Sequence, residues 1–565
     1  MSTNLLGVDV STLDVPVFLA EARLAFALLA LAWLAAQVRF RRSWWLLLGV
    51  LAANVWMWGI TNYPLQRLYA LGPSHDRLGN LSLCQVVAAG NNPLHTTQPG
   101  QLHFEPFWGL VVALVSGFDP DRVLAVYPFL SLVIVVAFPL ALYRGMRPAE
   151  ATGEGFSPWE RALMAGFATL LSSSAVDFLG TYRVLWAKMF LLKPNHALGL
   201  VLFPLFLGAF ARIRRWRGRL GVGLLLHLVG WVFVLHMAYV CVGLVVFAGL
   251  SLLNRRERAR RDLWDTLTVM GINALVVSPY LVMLLVGYPF LVRSTGYALP
   301  EFSPHLLETT LRTGWVFWLG CWGLWVLHRR GDRLSRLFLG QVLGSYLIWI
   351  GYIGLGFIGL ARERDEIYFW VRIQMAASAA VGAWDLSARA AGWLGRTAWM
   401  PAGRAAAVGI LALPYALPTW WDPARMDAYF PGSLSPLPAA LADAGAFLRD
   451  HTERQAVLAG DPELTLYAAA LAGRRGLVVA GMNATGDWDR RWSLQEQLLS
   501  DDDPRAVSQA AARYGVGYLL VGPSYLAKHP TLTLSDLDGR RHLHRLYLAG
   551  EQGGEFVAIY RVGVP

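Results

Sequence analysis

The sequence is poor in charge, in cysteine and in lysine, and each shortage removes a class of protein. Of 565 residues only 15% are charged and 55% are hydrophobic, with a mean hydropathy of +0.42. Soluble domains carry about 25% charged residues, so a wholly soluble chain is excluded. The three cysteines are Cys84, Cys241 and Cys321, two of them inside apolar runs. They leave the C-terminal part without a disulfide framework or a Cys-based metal site. HExxH, Walker A, EF-hand and GxSxG patterns are missing, and the run Glu301–His305 has no ligand partner at metal spacing. No metal site is therefore assigned, and a divalent cofactor is left without a motif. Met1–Pro16 carries Asp9 and Asp14 and no basic start, so it does not read as a cleavable signal; residues 17–37 read as a first membrane anchor.

What the chain does have is apolar length. Segments near 16–37, 43–61, 121–143, 160–180, 195–211, 220–235, 237–253, 266–287, 313–328, 336–360, 367–388 and 403–418 make a polytopic α-helical membrane protein of about 12 spans. The run 220–253 reads as two helices joined by a tight turn at 235–237, and EPFWGLVVALVSGF (105–118) as a short helix on or in the outer leaflet. The net charge of +11 sits in short arginine clusters between these segments. They lie at 39–42, 144–147, 212–219, 255–261, 329–336 and 389–404, at every second loop. The positive-inside rule places those loops in the cytoplasm of a plasma (inner) membrane. A nucleic-acid partner would need a continuous basic face on a soluble domain, so none is assigned. The N-terminus, the loop 62–120 and the chain beyond about residue 420 are then extracytoplasmic.

After residue 424 acidic and basic residues intermix, which sets the domains at 1–424 (membrane) and 425–565 (a small soluble α/β domain). An amphipathic helix at 437–450 precedes apolar runs at 456–459, 477–480, 517–521 and 556–561. Helical stretches at 462–472 and 490–514 separate the first three, which implies a mostly parallel sheet closed by a hairpin of 545–548 with 556–562.

Costly polar residues converge on the outer side. Loop 62–120 carries His75, Asp76 and Glu105; a carboxylate there can serve as general base toward a hydroxyl or amine. The plainer role for Asp76 is pairing with Arg77 or capping a helix from Leu78. The next outer loop holds Arg183, Lys188, Lys193, Asn195 and His196, including two of the chain's three lysines. Such cations suit a lipid phosphate, or they snorkel to headgroups. Arg362 and Arg364 form a third outer cluster, and Arg372, inside the eleventh span, needs a partner. His236 sits at the outer turn.

The motif SHDRLGNLSLCQVVAAGNNPLH, the loop KPNH, the turn LHMAY and the C-terminal stretch AFLRDHTERQAVLAGDPELTLYAAALAGRRGLVV together resemble bacterial members of the GT-C class of membrane glycosyltransferases. The chain departs from the class in an extra N-terminal span and in lacking a soluble WWD motif, so transfer to sequons is not implied. The resemblance implies sugar transfer from a polyprenyl-phosphate donor, across a surface of membrane lipids, to an extracytoplasmic acceptor. Asp76 would then be the base, with Glu105 next, and His75, Arg183, Lys188, Lys193, His196, His236, Arg362, Arg364 and Arg372 would hold the phosphate. A transporter or flippase of a lipid-linked anion, and a non-catalytic subunit of a membrane complex, are the alternatives. The first demands polar residues near mid-membrane; few stand out, and His227 and Gln341, within apolar helices, both lie toward the cytoplasmic half.

Overall fold

The structure, a computed structural model, describes residues 4–5, 8–9, 43–62, 75–94, 97–99, 106–147, 155–171, 194–253, 258–287, 315–357, 365–393, 401, 403–409, 438–479, 487–499, 504–550 and 554–563. A two-residue pairing, β1 (Asn4–Leu5) with β2 (Val8–Asp9), opens the chain. The helices that follow are α1 (Trp44–Asn62), α2 (His75–Ala88), α3 (Pro106–Val115), α4 (Pro120–Gly145) and α5 (Pro158–Gly166). Then come α6 (Pro194–Ala211), α7 (Trp216–Val232), α8 (Val234–Leu253), α9 (Ala259–Gly287), α10 (Trp315–Arg330), α11 (Arg333–Phe357) and α12 (Asp365–Trp393). Among the described residues four helical stretches are long and apolar enough to cross a membrane: Pro120–Gly145, Val234–Leu253, Ala259–Val282 and Arg333–Gly351. The protein is thus a helical membrane protein with a small C-terminal sheet.

The chain divides into two compact units. The first comprises Met1–Pro64, Ser131–Leu281 and Thr295–Tyr429; the second comprises Leu65–Leu130, Val282–Ser294 and Phe430–Pro565.

In the first unit, α5 starts on a capping box. The Ser157 hydroxyl accepts from Glu160 N–H, the Glu160 carboxylate accepts from Ser157 N–H, and Pro158 fills the first helical position. A π turn, Phe167–Leu171, follows it. The expected turn at 235–237 lies earlier: Phe233, extended at φ −161° and ψ 115°, separates α7 from α8. Helices α10 and α12 approach until a Cβ on Gly323 would stand 1.9 Å from Ser378 O and one on Gly382 2.4 Å from Leu319 O, the close contact that small residues permit in membranes.

One end of this unit is tied by ions. Asp265, fully buried, takes Arg219 at 2.7 Å and also binds Arg333; Asp262 takes Arg333 at 3.0 Å and Arg336 at 3.3 Å. Ser251 donates to Asp262 at 3.1 Å and accepts from Arg336 at 3.0 Å. Arg333 also donates to Ala211 O and Ile213 O, and Arg330 pairs with Glu160. Three arginine-bearing regions, 213–219, 261–265 and 333–336, therefore meet in one network, and the neighbouring Arg330 ties the last of them to α5 through Glu160.

In the second unit, α2 and α3 pack together and α13 (Ala439–His451) begins the C-terminal fold. It continues as β3 (Val457–Gly460), α14 (Pro462–Ala472), β4 (Arg475–Gly476), α15 (Trp488–Leu498), α16 (Pro504–Arg513) and β5 (Val516–Val521). Two short helices, α17 (Pro523–Ala527) and α18 (Leu534–Asp538), precede the hairpin β6 (Leu543–Gly550) and β7 (Phe556–Val562). Strand order is β4-β3-β5-β7-β6. The pairs β3/β4 and β3/β5 are parallel, while β5/β7 and β6/β7 are antiparallel, so the sheet is mixed where a mostly parallel one was expected. The C-terminal hairpin supplies the antiparallel half, as an antiparallel partner needs only a tight turn.

Beyond the irregularity where Val457 and Leu458 pair with Val516 and Tyr518, residues alternate between the sheet's faces. Val457, Ala459, Leu519, Val521, Ala558 and Tyr560 pack toward α15 and α16; Leu458, Tyr518, Leu520, Val557 and Ile559 pack toward α13 and α14. Helices therefore cover both faces of the sheet. Arg474 closes the end of α13, donating to Leu448 O (3.1 Å), Arg449 O (3.0 Å) and Thr452 O (2.9 Å), carbonyls that a helix terminus otherwise leaves open.

Candidate functional site

Two helices of the first unit begin on histidine-bearing turns. His196 lies in the first turn of α6 behind Asn195, and His236 in the first turn of α8. Both are buried, as is Asn195. The His196 ring stacks on Phe233 at 3.9 Å and meets the His236 ring edge-on at 5.7 Å. On its other side His236 lies 4.6 Å from the Trp370 indole, which also packs on Phe203 (4.7 Å) and Tyr239 (5.7 Å). The break at Phe233 is what lets its ring reach His196 while α8 turns His236 inward.

Trp370 is itself held. With the Gln374 amide oxygen toward the indole, Trp370 Nε1 donates at 2.6 Å, and the Gln374 nitrogen donates to Gln341 O (3.3 Å) and Ser345 Oγ (3.1 Å). Gln341 in turn donates to Val240 O at 3.2 Å. The buried amides of α11 and α12 thus serve to fix one ring plane against His236. Gly199, one turn into α6, completes the enclosure: a Cβ there would stand 2.1 Å from His236 Nδ1.

The setting suits an anion. Two helix N-termini, each with partial positive charge, present histidines, and neither first turn contains an acidic residue. Arg372, buried on α12 two positions beyond Trp370, brings a permanent cation to that stretch of helix. Among the described residues no group of three His, Cys, Asp or Glu side chains is placed to hold a metal ion.

Of the residues singled out from the sequence, His196, His236 and Arg372 fall in this unit, and the first two share one cluster. Trp370, Phe233, Tyr239 and Gln374 were missed, because aromatic and amide residues in apolar segments carry no periodic signal. His75 and Asp76 lie in the first turn of α2; their side chains lie outside the described residues. The helix starts at His75, so Asp76 is a first-turn residue and not the cap of a helix from Leu78, and a carboxylate there is favoured by the helix dipole. Glu105, Arg183, Lys188, Lys193, Arg362 and Arg364 lie outside the described residues.

No protein-family model matches this sequence, and no curated protein matches it. Solved structures do. ArnT from Cupriavidus metallidurans bound to undecaprenyl phosphate aligns with a TM-score of 0.52 at 13% identity, over 92% of this chain and 98% of that one. The oligosaccharyltransferase AglB from Archaeoglobus fulgidus, in complex with an inhibitory peptide and a dolichol-phosphate, aligns with a TM-score of 0.51 at 14% identity, over 91% and 74%. The same enzyme tethered to an acceptor peptide containing the NVT sequon aligns at 0.50 and 13%, over 92% and 74%. The chain therefore has the fold of these membrane glycosyltransferases, the GT-C fold.

Proposed function

We propose that this protein is a glycosyltransferase of the plasma membrane that moves a sugar from a polyprenyl-phosphate donor to an extracytoplasmic acceptor. The observation that carries the reading is the fold shared with ArnT over nearly the whole of both chains. Because fold alone does not determine chemistry, the site must agree with it, and the buried histidine cluster at two helix N-termini does so as a seat for an anionic leaving group.

In the proposed step an acceptor O–H or N–H attacks the anomeric carbon of the donor. The new bond forms as the bond from that carbon to the phosphate oxygen breaks, and polyprenyl phosphate leaves with the electron pair. Asp76 takes the acceptor's proton. His196, His236 and Arg372, joined by Arg183, Lys188, Lys193, Arg362 and Arg364, stabilise the charge on the departing phosphate, with His75 beside the base. The membrane part has twelve spans with the arginine network in the cytoplasm, and residues 425–565 lie outside. Membrane lipids and the acceptor, which is a glycan, lipid or protein, are the partners.

The test compares purified wild type with Asp76→Asn on lipid extracts labelled in their polyprenyl-phosphate sugars. Consumption of donor by the wild type, with binding but no turnover by the variant, supports the reading. Donor binding without consumption by either protein refutes transfer and favours a flippase or a lipid-binding subunit. Equal turnover by both keeps the enzyme and moves the base to Glu105.

A further inference from the structure

The segment that bears Asp76 is built as an internal element of the C-terminal fold. Helix α2 is enclosed: Leu78, Leu81, Cys84, Val86, Val87 and Ala88 are all buried, and so are the polar Ser82 and Gln85. A surface helix would show one polar face, and this one does not. One wall is α14, across which Gly473 makes the closest approach. Gly473 ends α14 in the left-handed conformation at φ +67°, and a Cβ there would stand 2.9 Å from Gln85 O and 3.4 Å from the Ala89 Cβ. The other wall is α3, where Gly109 faces Val87 and Leu83.

The chain beyond α2 is fastened to the sheet. Gly476 N–H of the edge strand β4 donates to Thr97 O at 2.8 Å. The sheet edge that would otherwise stay open is thus covered by residues of the first outer loop. Arg491 of α15, itself buried, donates through Nη2 to Pro99 O at 2.6 Å, while its Nε holds Asp487 at 2.7 Å and its guanidinium lies 5.1 Å over the Tyr514 ring. At the start of α4, Asp121 pairs with Arg449 of α13 at 3.1 Å. Every one of these contacts falls within one compact unit.

We propose that the C-terminal domain is the positioning element for the helix that carries Asp76, with Arg491 and Gly473 as positioning residues acting through the backbone of residues 85–99. This rests on the reading of Asp76 as the base. A base must be held to within a fraction of an ångström of its working place, and a misplacement of about 1 Å costs on the order of 100-fold in rate. A helix held only at one end of a loop does not meet that demand; α2, packed between α14 and α3 and continued by a chain fastened to the edge of a five-stranded sheet, does.

The experiment is hydrogen–deuterium exchange on the full-length protein in detergent, paired with donor turnover. The variants are Arg491→Met, which keeps the aliphatic stem and removes the donors, and Gly473→Ala. The control is Arg545→Met, which breaks the pair with Asp538 (3.1 Å) in the same domain. Expected is faster exchange across residues 75–99 in both test variants, with kcat lower by about tenfold and donor KM unchanged, and wild-type behaviour in the control. Arg491→Lys restores part of kcat. Thermal unfolding confirms that each variant is folded; should Arg491→Met fail to fold, Gly473→Ala carries the test. Unchanged exchange in residues 75–99 overturns the proposal, and so does faster exchange with undiminished kcat. If the wild type consumes no donor, the transferase reading fails separately, and the exchange data alone decide whether the domain holds α2.

Discussion

Replacing Asp265 by Asn removes one charge from the buried ion network without changing its shape. Arg219 then loses its 2.7 Å carboxylate, while Arg333 keeps Asp262 at 3.0 Å. Arg261 stands 3.7 Å away and its side chain is 46% exposed, so water replaces what it loses. Breaking a buried pair by deleting one partner costs about 3–5 kcal/mol. Because Arg219 is 18% exposed and regains some hydration, the lower end applies, about 3 kcal/mol. The contrast is the exposed pair Arg122–Asp119, whose side chains are 73% and 38% exposed; Asp119→Asn there costs about 0–1 kcal/mol. Reversible unfolding in sodium dodecyl sulfate mixed micelles, followed by tryptophan fluorescence, measures both. A gap of about 2 kcal/mol is a factor of about 30 in the unfolding constant. Raising the salt concentration should shrink the cost of Asp119→Asn and leave that of Asp265→Asn unchanged. Equal destabilisation by the two substitutions would refute the account of the network as a buried, unscreened tie.

Gly199→Ala should push the His236 ring off Trp370 and cost about 1–3 kcal/mol by overpacking, and it should weaken undecaprenyl phosphate binding measured by native mass spectrometry. Gly249→Ala, where a Cβ meets open space, should leave both unchanged; equal binding by the two variants would count against the histidine cluster as the phosphate seat. In the C-terminal domain, the Tyr518 hydroxyl donates to Glu453 at 2.8 Å, and this hydrogen bond is the main cause holding the Glu453 carboxyl below its usual range. A carboxyl lowered by folding contributes stability that is complete above its unfolded pKa and is lost as pH falls through the folded value. Glu453→Gln should therefore flatten the loss of stability below about pH 4.5. Burial pushes Tyr518 up to about 12, so its contribution is present below about pH 10 and disappears as pH rises through 12; an unaltered acid limb in Glu453→Gln would contradict this pairing.

How much was legible depended on whether a residue acts through its type or through its backbone. Helix α14 was read at its observed bounds because Asp461, Pro462 and Gly473 are cap, first-turn and terminator residues. Helices α15 and α16 were read as one stretch, although Pro504 opens the second and marks a start. The break at Phe233 was displaced because a single extended residue inside an unbroken apolar run has no compositional mark. The edge strand was expected at 477–480 for its valines and leucine; pairing occurs at Arg475–Gly476 instead, while Leu477 and Val478 fill the core beside it. The arginine clusters were legible from their spacing, but that Asp262 and Asp265 draw three of them (212–219, 255–261 and 329–336) into one network was not. His196 and His236 were legible as polar residues at span ends, but their aromatic surroundings were not. The bond between residues 97–99 and the C-terminal sheet was invisible, since its acceptors are carbonyls of Thr97 and Pro99 and the closest approach to α2 is a glycine.

The discontinuity of the second unit also sets an order of events during biosynthesis. Pro99 and Arg491, joined by a hydrogen bond in the finished molecule, are 392 positions apart in the chain. At about 5–20 residues per second, a ribosome needs roughly 20 to 80 s to make the second partner after the first has emerged. Throughout that interval the chain after α2 lacks the hydrogen bond that fastens Pro99 in the native fold. In a nascent protein α2 is therefore made long before Arg491 and the last strands of the sheet to which the chain after it is fastened.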